Sequence, residues 1–428
     1  MPTKPQINSL KGNGIDILNA IRANASSTYQ ERIPVATQEN IREIGNAMLE
    51  YQAVANEFLS ALVNRIGRVL ITSKSFTNPL AKFKKGMLEY GETVEEVFVE
   101  IAKAQQFDPE RAEKEFMKRE IPDVDAVFHR LNLKNFYKVT VSNEQLRQAF
   151  LNETGITDLV GRIIDSLYEG AEYDEYITMK QLISDAAKNG QFYPIHVPAP
   201  TKETASDIVT EIKAMSNALE FRSSEYNSMG VLTLSKKPNQ ILLMDAKFDA
   251  VVDVNVLASA FNMEKAEFMG QRVLLDNFAD LTGVVAALVD EDWFMVFDNW
   301  FGFTENYNGQ GLYWNYFYHI WKTFSTSPFA NAILFTSEDV EVTGITLTPT
   351  SATVAKGQSV QFTAEVSGTG YIPKDVVYYI EGDEDITSTI NATGLLTVAV
   401  DEANTSLTVI AKSVYDNTVT ASATVTIE

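Results

Sequence analysis

The chain has 428 residues, 45% of them hydrophobic and 11% aromatic, with 35 basic against 57 acidic side chains for a net charge of −22. That length exceeds what one hydrophobic core usually supports, so two or more domains are expected. Absent cysteine excludes thiolate chemistry, three scattered histidines (His129, His196, His319) supply neither a metal centre nor a Ser-His-Asp triad, and the acidic balance argues against ordinary nucleic-acid binding.

The start, Met1 to Gly12, has no apolar core of signal-peptide length and no small-residue cleavage site. No run of about 18 apolar residues occurs, so no membrane span is expected and the protein should stay soluble in the cytoplasm of the producing cell. Residues 1–36 are polar and Asn/Ser-rich and read as an extended arm with one short helical stretch near Ile15–Ile21. Thr37 then caps a helix whose apolar stripe is Ile41, Ile44, Met48, Tyr51, Ala55, Phe58 and Leu62, ending near Gly67.

From residue 65 to residue 85 the charges are all basic: Arg65, Arg68, Lys74, Lys82, Lys84 and Lys85. The next stretch is led by acids, Glu89, Glu92, Glu95, Glu96 and Glu100, with Val94, Val97, Val99 and Ile101 spaced as in a strand. The spacing predicts a long projecting β-hairpin over 68–140, with a helical turn near Pro109–Lys118. A hairpin with one basic and one acidic arm buries little of itself and suits lying across a neighbour of opposite charge. The named basic residues and Glu92, Glu95 and Glu96 are therefore the expected intersubunit contacts.

Ser142-Asn-Glu-Gln145 is a capping box opening a helix to about Asn152. A long helix follows from Thr157 to Asn189, about 50 Å at 1.5 Å per residue. After a Pro-rich linker at 195–205 come a helix through Ile208, Ile212, Met215 and Leu219, strands at Val231–Leu234 and Ile241–Met244, a short helix at Val254–Phe261 and a strand at Val273–Leu275. That alternation reads as a compact α/β subdomain. Val284–Val296, Gly311–Phe324 and Ala332–Phe335 are strand-like, and a seam falls near Asp339.

Beyond the seam, 341–428 resembles a small immunoglobulin-type β-sandwich of a kind common on bacterial surfaces. Ile345 to Val366 alternates apolar and polar residues around a Lys356-Gly357 turn, as a half-buried hairpin should. This segment carries −8 of the charge, leaving −14 for the first 340 residues.

Asp290-Glu291-Asp292 beside Trp293 and Trp300 invites a glycosidase or metal-site reading, but adjacent carboxylates in a strand point to opposite faces and a solvated turn is the better one. Glu381-Gly-Asp-Glu-Asp385 lacks the spacing of a calcium loop. In the aromatic block Gly311–Trp321, alternation puts Trp314, Tyr316, Tyr318 and Ile320 on one face and Tyr313, Phe317 and Trp321 on the other. A strand apolar on both faces is expected between layers or subunits, with His319 as a hydrogen-bonded core residue. No catalytic, cofactor or metal site is expected.

Several strings, in order along the chain, resemble the major capsid (head) protein of phi-twenty-nine-like tailed bacteriophages: Asn78-Pro-Leu-Ala-Lys-Phe-Lys-Lys-Gly86, Asp253-Val-Asn-Val-Leu-Ala-Ser-Ala-Phe-Asn-Met263, Leu288-Val-Asp-Glu-Asp-Trp-Phe-Met-Val-Phe-Asp-Asn299, Gly311-Leu-Tyr-Trp-Asn-Tyr-Phe-Tyr-His-Ile-Trp321 and Phe329-Ala-Asn-Ala332. The resemblance implies an α+β Hong Kong 97-type capsid fold. Its parts would be an N-terminal arm and helix (1–67), an extended loop (68–140), a peripheral domain with a spine helix (141–204), an axial domain (205–284), a peripheral return (285–340) and a bacterial Ig-like group 2 domain (341–428). Where many relatives of that last domain carry a core Trp, this chain reads Val376-Val-Tyr-Tyr-Ile380. The implied function is self-assembly, as hexamers and pentamers, into an icosahedral shell around double-stranded DNA. A scaffolding protein and a portal would be partners, and the Ig-like domain would lie outside and bind glycans weakly. A cell-surface adhesin or surface-layer protein is the rival reading, and a carbohydrate-active enzyme a third.

Overall fold

The computed structural model describes residues 14–51, 53–55, 57–58, 61, 76–88, 93–99, 101, 124–150, 153–255, 271–382 and 386–428. From Gly14 onward the expected arm is folded. Helices α1 (Gly14–Asn24) and α2 (Ser27–Arg32) place Leu18, Ile21 and Tyr29 in the core. Arg22 closes their bend by donating to the carbonyls of Ile33 at 2.6 Å and Gln30 at 3.0 Å, and Asn19 exchanges hydrogen bonds with Ala36 in both directions at 3.0 and 2.7 Å. Ser26 caps α2. The polar residues that suggested an extended arm are the caps and ties of a folded one.

Helix α3 (Ile41–Glu50) starts at Asn40, not Thr37; the Asn40 side chain accepts from the Thr37 amide at 2.8 Å. It also ends sooner than expected, because Tyr51 is extended (φ −119°, ψ 102°), although 53–55 and 57–58 are helical again.

The next elements are β1 (Gly86–Met87), β2 (Thr93–Val99), β3 (Val124–Arg130) and β4 (Leu133–Ser142). Helix α4 (Asn143–Ala149) opens with the expected reciprocal box: Gln145 amide to Ser142 Oγ at 3.2 Å, Ser142 amide to Gln145 Oε1 at 3.0 Å. The spine, α5 (Glu153–Lys188), runs 36 residues and starts four earlier than predicted. Then follow β5 (Tyr193–His196), α6 (Ala205–Ala218), β6 (Gln240–Asp245), α7 (Ala246–Asn255), β7 (Gln271–Leu275), β8 (Val284–Asp290), β9 (Phe294–Asn308), β10 (Tyr313–Thr326) and β11 (Ala332–Thr336).

Two sheets organise this body, ordered β1-β9-β10-β4 and β5-β11-β8-β6-β7. Three hydrophobic cores fill it. One lies between α1–α3, the first half of the spine and the inner face of β10; a second lies between the later spine and both sheets; the third packs α6 and α7 on the far face of the five-stranded sheet. β8 and β11, expected in the peripheral return, are laced into the sheet that holds β6 and β7, so the 284/285 boundary falls within one sheet. Val231–Leu234 is not a strand. A single Ser223↔Thr233 bridge occurs there, and the Asn227 side chain engages Val231 at both its amide and carbonyl. The predicted 254–261 helix lies outside the described residues after Asn255.

Residues beyond Glu341 form a sandwich. One sheet orders β13 (Ser351–Val354), β20 (Thr420–Ile427), β19 (Ser406–Ser413) and β16 (Val376–Glu381); facing it are β12 (Glu341–Thr348) with β15 (Thr363–Thr369), and β14 (Ser359–Gln361) with β18 (Leu395–Thr397) and β17 (Thr389–Ile390). Gly357 does turn (φ 80°), and the ends of the expected hairpin pair antiparallel, Ile345 opposite Val366, but the strands that flank the turn do not pair with each other: β13 joins β20 and β14 joins β18. Tyr378 lies within the Val376–Ile380 stretch. Its ring packs on the Phe362, Leu396 and Val409 core, and its hydroxyl accepts the Ala364 amide at 2.9 Å.

Candidate assembly surfaces

β2 and β3 pair antiparallel from Thr93↔Arg130 to Val99↔Val124, and their two faces have opposite fates. One face is fastened to the body. His129 is buried, with Nε2 3.0 Å from the Glu96 carboxylate and Nδ1 2.8 Å from Ser325 Oγ; Ser327 Oγ donates to Glu96 at 2.7 Å, and Phe98 stacks on Phe329 at 5.5 Å. The other face presents Glu95, Val97, Val99, Val124, Ala126 and Phe128 to solvent, with Val97 52% and Phe128 54% exposed. Apolar side chains left in water in a row forgo about 25 cal/mol for each Å² that a partner would cover.

The four-stranded sheet is similarly two-sided. Trp314, Tyr316, Tyr318 and Ile320 are buried under the helices, as alternation predicted. The outer face aligns Lys134, Phe136 and Lys138 of β4 with Phe317, His319 and Trp321 of β10 and Trp300 and Thr304 of β9. Phe136 is 59% exposed. Trp300 packs on Trp321 at 5.0 Å and Phe136 on Phe317 at 5.8 Å, while Lys134 Nζ sits 4.6 Å from the Trp321 ring centre. Trp300 also lies over Gly302, where a Cβ would come within 2.5 Å of the ring. His319 is hydrogen-bonded as expected, to Thr304 at 2.9 Å, but it lies on this open face and not in the core. No carboxylate occurs on this face between the Lys134 and Thr140 rows, in a chain of net charge −22.

Of the expected contact residues, Arg65, Arg68, Lys74 and Glu92 lie outside the described residues. Glu95 is on the open hairpin face, and Lys82 is exposed, its Nζ 4.9 Å from the Phe83 ring centre. Lys84, Lys85 and Glu96 have partners inside their own chain. Lys84 pairs with Glu175 at 3.1 Å and Asp298 at 2.8 Å; Lys85 pairs with Asp292; Glu96 takes His129 and Ser327. Burial by itself would lower the Lys84 pKa, but the hydrogen bond and charge of Asp298, with Glu175, outweigh it and raise it. Lys322 joins the same cluster, pairing with the fully buried Glu175 and with Asp298 at 3.2 Å, and Asn78 donates to Glu175 at 2.9 Å. Reading the sequence missed this cluster; of the outer sheet face it found the β10 residues Phe317 and Trp321 but not the β4 row beside them, for which the Lys134-Phe136-Lys138 alternation was the available signal.

The Asp290–Asp292 carboxylates form a capped turn. Asp290 is buried, accepts the Asp292 amide at 3.0 Å, and burial raises its pKa; Trp293 is core. Asp383, Glu384 and Asp385 of the second acidic string lie outside the described residues. Among the described residues, no group of three or more His, Asp or Glu is arranged to hold a metal, and no helix is long and apolar enough to cross a membrane.

Comparison with known proteins agrees with this architecture. Residues 18–336 match the Phi29-like phage major capsid protein, and residues 341–422 match the bacterial Ig-like domain (group 2). The major capsid protein of Bacillus phage B103 is 42% identical over 91% of this chain and 88% of its own, and that of Bacillus phage PZA is 40% identical over the same shares. That of Streptococcus phage Cp-1 is 31% identical over 74% of this chain and 92% of its own. The fold also matches a chain from the capsid structure of Staphylococcus phage Andhra, with a TM-score of 0.51 and 16% identity over 63% of this chain and 86% of that one. A capsid-type body, a hairpin with one face open, a spine helix and an appended Ig-like sandwich thus coincide with close relatives over nearly the whole length, and the chain belongs to the family of Phi29-like phage major capsid proteins.

Proposed function

We propose that this chain builds the icosahedral head shell of a tailed phage around double-stranded DNA, as hexamers and pentamers, with a scaffolding protein and a portal as assembly partners in the host cytoplasm. Its work is structural and not catalytic. The observation that carries the reading is the pair of unpartnered faces: an apolar hairpin strip marked by Glu95, and a lysine-flanked aromatic sheet face free of carboxylates. The strip is mainly apolar, with Glu95 and Arg130 both on it, and the sheet face is aromatic and basic, so apolar contact is the main attraction between them. The strip faces away from the body to which the hairpin's other side is fastened, so its occupant is a second copy. Repeated around a ring, such contacts, each modest, hold a shell together through multivalency.

Lys82, exposed on the body, is a further contact to a neighbouring copy. The acidic body lets packaged DNA slide without adhering to the wall, and the Ig-like domain stands outside and binds glycans weakly. The test is electron microscopy of the protein expressed with a scaffolding partner. Closed shells are expected from the native chain. The Val97→Glu/Phe128→Glu pair is expected to stay folded and form none; shells from that variant, or only compact monomers from the native chain, overturn the reading.

A further inference from the structure

Two modules joined by a short connection move relative to each other unless something specific prevents it. Here the connection and the surfaces on either side of it are built to prevent it. We infer that the Ig-like module is held in one orientation by a keyed joint at the C-terminal end of the spine helix, made by Gly190, Thr282 and Tyr193 of the body with Ile372, Tyr371 and Tyr415 of the module.

The connection itself is fastened. The Ser337 amide donates to the Gly283 carbonyl at 2.8 Å, the Glu338 amide donates to Thr336 Oγ1 at 3.1 Å, and His196 Nδ1 donates to the Glu338 carbonyl at 3.1 Å. One residue on, the Asp339 carbonyl lies against Gly370 (φ 72°), where a Cβ would come within 2.4 Å of it. A free tether would leave these backbone groups to water.

Three contacts then key the module to the body. Tyr371 Oη accepts the Thr282 amide at 2.8 Å and donates to the Thr282 carbonyl at 2.9 Å, so one side chain grips both polar groups of one residue. Gly190 ends the spine in the left-handed region (φ 75°), and the module's backbone occupies the space a side chain would need: a Cβ there would lie 2.5 Å from the Ile372 carbonyl and 2.8 Å from the Lys374 amide. Tyr415 packs on Tyr193 at 5.4 Å, and Tyr193 meets Tyr226 edge-on at 5.2 Å. The crevice between Gly190–Tyr193 and Pro373–Asp375 holds only about 10 Å³ and is closed to a water layer, whereas the side bounded by Thr282, Glu338, Asp339 and Tyr371 opens into a cleft of about 620 Å³, so the dry Gly190 side and the hydrogen bonds carry the rigidity.

A module so mounted presents its outward surface at a fixed angle, and in any assembly at a fixed spacing. The joint belongs to one chain, so the inference stands or falls independently of shell formation. Because the chain has no cysteine, Ala214→Cys on α6 and Ser422→Cys on β20, both exposed, carry spin labels without background. Double electron–electron resonance on the unassembled full chain is expected to give one narrow distance peak. Adding Gly190→Ala is expected to broaden it severalfold, and Tyr371→Phe to broaden it less. If Gly190→Ala does not fold, Tyr371→Phe and Tyr415→Ala decide the matter. A broad distribution in the parent, or a narrow peak unchanged by these substitutions, overturns the joint.

Discussion

Replacing Glu175 by Gln tests whether the buried charges at the root of the extended loop are balanced as a set. The Glu175 side chain has no exposure, and around it stand Lys322 at 10% and Lys84 at 18%, with Asp298 the other anion. Glu175→Gln keeps the shape but leaves two cations sharing Asp298. At a separation near 3 Å and an effective dielectric of about 20, the lost attraction is about 5 kcal/mol for each lysine before relaxation. Measured losses on removing one partner of a buried pair are about 3–5 kcal/mol, a large part of a total stability of about 5–15 kcal/mol. All four tryptophans, Trp293, Trp300, Trp314 and Trp321, lie in the body and none in the sandwich, so their emission during urea unfolding reports the body alone. Glu175→Gln is expected to lower the midpoint by that free energy without changing the denaturant slope. Adding Lys322→Met removes the orphaned cation and leaves the Lys84–Asp298 pair, so the double variant should recover more than half of the loss. A single-variant cost under about 1 kcal/mol, or a double variant no better than the single, refutes the balance.

Glu402 anchors the loop at 387–404 by accepting from Ser388 Oγ at 2.6 Å, the Ser388 amide at 2.9 Å and Asn404 Nδ2 at 2.7 Å. Burial works against its charge, but the hydrogen bonds from Ser388 and Asn404 prevail and bring its pKa down from 4.5 to about 2. Its stabilisation is thus complete above the unfolded value and lost as pH falls through the folded one. By calorimetry, the deficit of Glu402→Gln in the sandwich transition should be full at about pH 6 and much smaller at about pH 3; a constant deficit would sink the assignment. At Gly45, an added Cβ would lie 2.6 Å from Phe150 Cβ where α3 crosses the turn after α4. Gly45→Ala should therefore destabilise by about 1–3 kcal/mol, although helix propensity alone favours Ala by about 1 kcal/mol, and a raised thermal midpoint would refute the close packing.

Local patterns were legible wherever the physics is local. The Ser142–Gln145 box, the spine and the two-faced β10 stripe all depend on residues a few positions apart. The break at Tyr51 escaped notice because Ala55 and Phe58 resume the same apolar phase beyond it. The basic run misled for a different reason. The partners of Lys84 and Lys85 are 91 and 207 residues away, at Glu175 and Asp292, and only the tertiary fold brings them together. The folded α1–α2 segment was hidden by its own ties, since Arg22, Asn19 and Ser26 look like solvated polar residues until their backbone acceptors and donors are in place. Val231–Leu234 has strand-like residues, but the Asn227 side chain already occupies the polar groups of Val231.

The spine threads two hydrophobic interiors on one rod. Ile163, Leu167 and Ala171 sit in the core beneath the aromatic sheet, while Tyr176, Met179, Ile183 and Ala187 sit in the core shared with the five-stranded sheet. At 36 residues the rod is about 54 Å long, with no proline to soften it. Tilting one sheet against the other would shear side chains out of one interior or break hydrogen bonds along the rod. The helices α1–α3 and the Ig-like module seated at Gly190 thus stand at opposite ends of one continuous rod.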